Sequence, residues 1–248
     1  MKLANGVEAL ELPMQSFTTG RNVIYPTLIW DDDTVVLADA GFPGQLQQIR
    51  EAMGRAGVPF DRLDKVIITH QDIDHIGSLP DIVRESSHKV EVLSHAEERP
   101  YIEGSKPLIK MSQGRLSKRL ASLPEEQRKQ MEALFGNPPK ASVDTVVADG
   151  EVLPYCGGIT VVFTPGHTPG HICLYLNQSK ILITGDALVV VDGELRGPNP
   201  QATYDLDSAL KSLTKLAQYD IETVICYHGG VYRDSANERL AELSNAAS

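Results

Sequence analysis

Four short apolar stretches of this chain each end at a side chain that can bind a metal ion. The stretch VIIT is followed by His70, TVVFTPG by His167, ILITG by Asp186 and VICY by His228. Short apolar runs of this kind predict buried β-strands. Side chains that follow strand ends are held by the sheet and converge beyond its edge. The pattern therefore predicts a sheet-based α/β fold that gathers metal-capable side chains at one edge.

The first of these strands leads into a dense cluster of metal-capable side chains. The run His-Gln-Asp-Ile-Asp-His contains His70, Asp72, Asp74 and His75. A single histidine after a strand is usually an ordinary hydrogen-bonded residue, but carboxylates buried together are costly unless a cation is present. Along an extended loop, alternation places Asp72 on the same face as His70 and Asp74. With the three other strand ends, the cluster suits one or two divalent metal ions.

The rest of the chain alternates strand-like and helical segments. Residues 43–56 show helical spacing of Leu46, Ile49 and Met53, and Gly57 provides a stop. The order of strands, helix, strands, an insert, and then strands and helices again predicts two similar halves with sheets inside and helices outside. The chain has 248 residues, of which 42% are hydrophobic, and we expect one domain that covers residues 1–248.

Residues 96–140 interrupt this rhythm. The segment lacks β-branched runs and is rich in Glu, Gln, Lys, Arg and Leu, which predicts helix. It holds nine basic and six acidic residues, whereas the whole chain has a net charge of −10. One interpretation is a solvated helical excursion, a second is a basic cap that steers an anionic substrate towards an active site, and a third is a dimer interface. We expect a helical insert or cap.

The charge and the cysteine content exclude several functional classes. A net charge of −10 repels nucleic-acid backbones. The three cysteines are odd in number and widely spaced, so they predict neither a disulfide framework nor a cysteine zinc site, and they favour a reducing cytoplasm. No apolar run is long enough to span a bilayer, and the N-terminus does not read as a secretory signal. We expect a cytoplasmic protein without nucleic-acid or membrane partners.

The motifs resemble those of the metallo-β-lactamase superfamily. THQDIDHIG is similar to its His-x-His-x-Asp-His signature, TPGHTPGH to its third motif, Gly185-Asp186 to its fourth and the strand that ends at His228 to its fifth. LADAG, which contains Asp39, resembles its early aspartate motif. The resemblance covers nearly the whole chain and implies an α/β fold of the αββα sandwich type, with a metal site at one edge.

The resemblance also implies the ligand set. One metal would be held by His70, Asp72 and His167, the other would be held by Asp74, His75 and His228, and Asp186 would bridge the two. Asp39 would orient ligands by hydrogen bonding, and His171 would have a supporting role. Two further histidines match no motif and are expected not to be ligands: His88 and His95.

Asp72 departs from the family pattern, which has a second histidine at this position. The flavodiiron proteins, a redox branch of the family, also carry a carboxylate there. Because hard oxygen ligands shift preference towards manganese or iron, we expect two divalent metal ions, with zinc favoured and manganese or iron as the alternatives that Asp72 raises.

The small hydrolases of this family, glyoxalase II and the acyl-homoserine lactonases, are the branch that the chain resembles. The tyrosine of the lactonases is replaced by Val189, and Tyr204 and Tyr227 are candidate substitutes. We predict a metal-dependent hydrolase that cleaves an ester, lactone or thioester of a small-molecule substrate by a metal-bound hydroxide, with Asp74 as the catalytic proton acceptor. The alternatives are an iron-dependent oxidoreductase of the same fold and a non-catalytic metal-binding or sensing protein. If segment 96–140 is a dimer interface, the partner is a second copy of the chain in a homodimer.

Overall fold

The strands in the described part of the chain form two large sheets and two short hairpins. The computed structural model describes residues 1–14, 22–111, 124, 125, 128, 129 and 136–246. Within these residues the first sheet contains, in spatial order, β1 (Lys2–Ala4), β2 (Val7–Ala9), β5 (Thr27–Trp30), β6 (Val35–Ala38), β7 (Lys65–Ile68), β8 (Glu91–His95) and β9 (Thr145–Val147). The second contains β10 (Val152–Leu153), β11 (Ile159–Phe163), β12 (Ile172–Leu176), β13 (Ile181–Ile183), β16 (Thr223–Cys226) and β17 (Gly230–Tyr232). The hairpins pair β3 (Leu12–Met14) with β4 (Asn22–Ile24), and β14 (Val189–Val191) with β15 (Glu194–Arg196).

The strand directions bring several carboxyl ends to one edge of each sheet. In the first sheet, β6 and β7 are parallel, as are β7 and β8. In the second sheet, β13 and β16 are parallel, and β11 runs in the same direction because two antiparallel pairings separate it from β13. Within each sheet, the loops that follow these strands therefore leave from the same edge. They are the loops after β6 and β7 in the first sheet and after β11, β13 and β16 in the second.

Three apolar layers hold the fold together. Along β6, Val36 and Ala38 face the layer between the two sheets, whereas Val35 and Leu37 face the helices that cover the first sheet. This is the two-residue alternation of a strand that is buried on both faces. A third layer joins the outer face of the second sheet to its own helices, through residues such as Val224 and Leu213. The order of layers is helix, sheet, sheet, helix, and it confirms the predicted αββα sandwich.

The helices of the described chain lie in the outer layers or beside the loops. They are α1 (Leu46–Arg55), α2 (Ile73–Ile76), α3 (Leu79–Glu85), α4 (Arg99–Ile102), α5 (Leu206–Leu216) and α6 (Ala236–Ala246). The predicted spacing in α1 is confirmed, since Leu46, Ile49 and Met53 are buried. Gly57 adopts φ 82° directly after this helix, which a residue with a side chain rarely does. No helix in the described residues is long and apolar enough to cross a membrane.

The predicted helical insert at 96–140 is described only in part. It begins with α4 and continues to a 3₁₀ turn at Ile109–Met111. Most of the stretch from residue 112 to residue 135 lies outside the described residues, so the cap and interface interpretations stay predictions there. At this turn the segment contacts the loop that follows β7, since the Ile109 N–H donates to the Gln71 side-chain oxygen at 2.8 Å.

Candidate metal centre

The loop after β7 divides its metal-capable side chains between two positions. His70 and Asp72 precede α2, Asp72 in an extended conformation, and Asp74 and His75 lie within that short helix. Asp72 therefore faces the same way as His70, as alternation predicts. Asp74 does not, because the chain turns into a helix at Ile73 and carries Asp74 and His75 to a neighbouring position.

The first cluster comprises His70, Asp72, His167 and Asp186, all of which are buried. Each offers one donor atom, and these atoms lie within 4.8 Å of one another. The His167 Nε2 is 3.0 Å from the Asp72 Oδ2 and 3.2 Å from the Asp186 Oδ2. The His70 Nε2 is 3.1 Å from the same Asp72 oxygen. Two imidazoles and two carboxylates therefore point at one small volume.

The second cluster comprises Asp74, His75 and His228. The Asp74 Oδ2 is 3.2 Å from the His228 Nε2 and 3.9 Å from the His75 Nε2. Asp186 lies between the clusters. Its Oδ1 is 3.3 Å from the His75 Nε2 and 3.5 Å from the His228 Nε2, whereas its Oδ2 faces His167. The two oxygens of the Asp186 carboxylate thus face different clusters.

The hydrogen bonding of these atoms matches a metal-binding role. Within the described residues, three buried atoms that face the clusters form no hydrogen bond, since their short contacts lack hydrogen-bond geometry: the His70 Nε2, the His75 Nε2 and the Asp186 Oδ1. Buried polar atoms nearly always have one, so each exception needs an explanation. All three atoms face the interior of a cluster, and a divalent cation there would satisfy them. The donor set of imidazole nitrogens and carboxylate oxygens suits zinc, iron or manganese.

Asp39 contacts the second cluster through the Nδ1 atom of His75. It follows β6 in a left-handed conformation with φ 64°. Its Oδ2 is 2.9 Å from the His75 Nδ1, and its carboxylate accepts hydrogen bonds from the Thr69 N–H at 2.8 Å and from the Thr69 hydroxyl. A carboxylate on the Nδ1 side keeps the proton there and leaves the Nε2 lone pair free for a metal. Asp39 therefore lies beside His75 and outside both clusters, and its orienting role stays a prediction.

The remaining histidines lie outside the clusters. His171 is buried, its Nδ1 is 2.9 Å from the Thr164 hydroxyl, and its Nε2 accepts the Asp186 N–H at 3.2 Å. His171 thus supports the backbone of Asp186. His88 is partly exposed near Asp64, and His95 stacks on Phe163 with ring centroids 4.3 Å apart.

Of the two candidate tyrosines, Tyr227 contacts the site and Tyr204 is exposed. The Tyr227 hydroxyl donates to the backbone oxygen of Asp74. The centroids of the Tyr227 and His75 rings are 3.8 Å apart. Both contacts position residues of the second cluster. Tyr204 is 52% exposed, and its backbone N–H donates to the His167 carbonyl at 3.2 Å.

Sequence reasoning missed two residues of segment 96–140 that reach the site. The buried Glu98 carboxylate accepts N–H groups from Gln71 and from Gly170, and so joins the loop of His70 to the loop of His167. The Lys110 ammonium contacts Asp72 and His167. Both residues appeared to belong to a charged, solvated helix, and only the tertiary path of the segment distinguishes them.

The electrostatics of the first cluster favour a cation. Burial and the nearby His75 lower the pKa of His70 to about 4, so its imidazole is neutral at pH 7. Burial would raise the pKa of Asp72, but His70 and Lys110 hold it well below the usual range. In the second cluster, burial would lower the pKa of His228, but the Asp186 and Asp74 carboxylates raise it to about 10. The pKa values of the three carboxylates are all lowered, so Asp72, Asp74 and Asp186 stay ionised at neutral pH.

Comparisons with known proteins agree with this geometry. Residues 19–228 match the metallo-beta-lactamase superfamily. A probable metallo-hydrolase of Bacillus subtilis, YflN, is 32% identical over 92% of this chain and 88% of its own length. The hydroxyacylglutathione hydrolase GloC of Haemophilus influenzae is 25% identical over 86% of this chain and 88% of its own length. A crystal structure of a metallo-beta-lactamase family protein from Thermus thermophilus superimposes with a TM-score of 0.72 at 22% identity, over 99% of this chain and 80% of that one.

Proposed function

The chain belongs to the metallo-beta-lactamase superfamily, and we propose that it is a metal-dependent hydrolase of an ester, lactone or thioester bond in a small-molecule substrate. One observation carries the proposal: two adjacent clusters of imidazole and carboxylate groups meet at a single carboxylate, Asp186, whose two oxygens face different clusters. The match to curated metallo-hydrolases supports the reaction class.

The proposed ligand set follows the two clusters. His70, Asp72 and His167 would hold one divalent ion, a second set would hold the other, and Asp186 would be shared. The second set is Asp74, His75 and His228. Bound divalent metals in such sites lower the pKa of water and polarise a substrate carbonyl. The protein supplies the arrangement of donors and the orienting hydrogen bonds from behind.

Asp74 is the proposed catalytic proton acceptor. Its side chain is 19% exposed, compared with 9% for Asp72 and 10% for Asp186. It is therefore the most accessible of the three carboxylates, and its Oδ2 lies 3.2 Å from the His228 Nε2. A carboxylate that is open to the cleft and fixed by its neighbours can take a proton from the attacking water.

Zinc is the proposed metal, with manganese or iron as alternatives. Divalent zinc binds sites of this mixed nitrogen and oxygen type tightly. At position 72 the family motif has a histidine, so a carboxylate oxygen replaces an imidazole nitrogen. Because this oxygen is a harder donor, the difference in affinity between zinc and manganese or iron becomes smaller. The class of bond is proposed from a curated relative whose name describes hydrolysis of an acylglutathione.

The test combines metal analysis with a substrate panel. Purified protein is analysed for zinc, manganese and iron and assayed on aryl esters, lactones and acyl thioesters before and after chelation. We expect hydrolysis of at least one class, loss of that activity on chelation, and recovery on adding metal back. Asp74→Asn should lower turnover by ~100-fold or more, whereas Asp33→Asn on the exposed β5–β6 turn should retain it.

Two results would contradict the proposal. Metal-loaded protein that hydrolyses none of the three classes would favour a binding or sensing role. Bound iron with oxygen consumption and without hydrolysis would favour the redox alternative that the Asp72 carboxylate raises.

A further inference from the structure

The Lys110 ammonium lies at the position where the first cluster would hold a cation. It forms an ion pair with the Asp72 Oδ2 and lies 2.7 Å from the His167 Nε2. These two atoms are also 3.0 Å from each other and point into the first cluster. A lysine ammonium only donates hydrogen bonds, so it occupies the lone pairs that a metal ion would use.

The backbone beside Lys110 is fixed to the ligand loop independently of this contact. The Ile109 N–H donates to the Gln71 side-chain oxygen at 2.8 Å. Gln71 stands between His70 and Asp72, and its own N–H is held by the buried Glu98 carboxylate. The lysine side chain is 27% exposed, and its stem is flexible. Rotation of the side chain alone can therefore move the ammonium in or out of the cluster.

The two clusters also differ in the charged side chains that contact them. Asp72 adds a negative charge at a position where the resembled motif has an imidazole, and Lys110 adds the matching positive charge. In the second cluster, the ion pairs found for Asp74 and Asp186 in the described part of the chain all involve histidines. Lysine competition is therefore built into the first cluster, and the described residues provide none for the second.

We propose that Lys110 competes with a metal ion for Asp72 and His167, so that the two clusters fill in order. The second cluster, with His75 and His228, binds a metal first. The first cluster binds one only when the Lys110 ammonium is displaced towards the cleft. This inference rests on the proposed two-metal site and adds an internal competitor to it.

Calorimetric titration of metal-free protein with Zn²⁺ tests the order. We expect two binding steps for the unmodified chain, of which His228→Ala removes the tighter and His167→Ala the weaker. If the ammonium fills the first cluster in 90–99% of molecules, competition weakens metal binding there by about 10- to 100-fold. Lys110→Met should strengthen the weaker step by that factor and leave the tighter step unchanged.

Lys106→Met is the matched control. Lys106 belongs to the same segment, and its ammonium lies 5.4 Å from the centroid of the Tyr101 ring, outside both clusters. Its titration should equal that of the unmodified chain. Two steps that Lys110→Met leaves unchanged, or a weaker step that becomes weaker still, would overturn the inference alone. Absence of metal binding in every protein would overturn the proposed function and this inference together.

Discussion

The Glu98 carboxylate joins the loop of His70 and Asp72 to the loop of His167, so a mutation at Glu98 tests how the first cluster is held together. It is buried, its Oε2 accepts the Gln71 N–H at 2.8 Å and the Gln71 side-chain amide at 3.1 Å, and its Oε1 accepts the Gly170 N–H at 2.7 Å. Gln71 lies between His70 and Asp72, and Gly170 follows His167 by three residues. Replacing one carboxylate oxygen with a donor should therefore disturb both loops.

Glu98→Gln preserves the shape of the side chain and changes only its acceptors. The less costly orientation keeps the oxygen on Gln71 and turns the new NH₂ group towards the Gly170 N–H. A buried N–H left unpaired costs about 1–3 kcal/mol, and each bond that changes from a charged to a neutral acceptor loses about 1 kcal/mol. Burial raises the pKa of Glu98 in spite of these bonds, so a neutral amide recovers part of the cost of burying the charge. We expect a net loss of about 2–3 kcal/mol in the free energy of unfolding.

Urea unfolding of the metal-free protein measures this loss, and zinc titration measures its effect on the site. Removing a group that orients metal ligands typically weakens metal binding by about 10- to 100-fold, and we expect that change in the first cluster. The control is Glu97→Gln, which makes the same chemical change at the exposed neighbouring position. If Glu98→Gln matches this control in both measurements, the Glu98 carboxylate does not hold the two loops together.

Two further variants test the proposed shared ligand and the residue that orients His75. Asp186→Asn should weaken zinc binding in both clusters, because each of its oxygens faces a different one; metal content after dialysis measures this, with exposed Asp192→Asn as control, and loss from one cluster alone would contradict the shared role. Asp39→Asn should weaken only the second cluster, by about 10- to 100-fold, because the new NH₂ group favours the His75 tautomer with its proton on Nε2. Asparagine tolerates the positive φ at this position, so unchanged affinity in calorimetry would argue against the orienting role.

The residues of the two clusters could be predicted because their positions depend on local features. An apolar strand followed at once by His70, Asp186 or His228 fixes both the element and the end from which the side chain emerges. Parallel pairing of β6 with β7 and of β13 with β16 then brings those ends together. One local expectation was only half right. Alternation from His70 placed Asp72 correctly, but the start of α2 at Ile73 moved Asp74 to the other cluster.

Lys110 could not be predicted because nothing local distinguishes it. In sequence it is one of nine basic residues in segment 96–140, and lysine on a polar helix is usually solvated. Its contact with Asp72 depends on a path that brings Ile109 against Gln71. Such a path is a property of tertiary packing, which composition and periodicity do not report.

For Glu98, the sequence does contain an indirect signal, which is Gly170 in the pair Gly170-His171. A Cβ on Gly170 would lie 2.8 Å from the Glu98 backbone nitrogen and 2.8 Å from its Cγ. The loop after His167 can therefore approach the buried carboxylate only because residue 170 has no side chain. The same approach lets the Gly170 N–H reach the Glu98 Oε1. A glycine in a ligand loop thus indicates that another part of the backbone comes close, but the sequence does not say which part. The fold identifies that part as the backbone of Glu98, whose buried carboxylate belongs to segment 96–140.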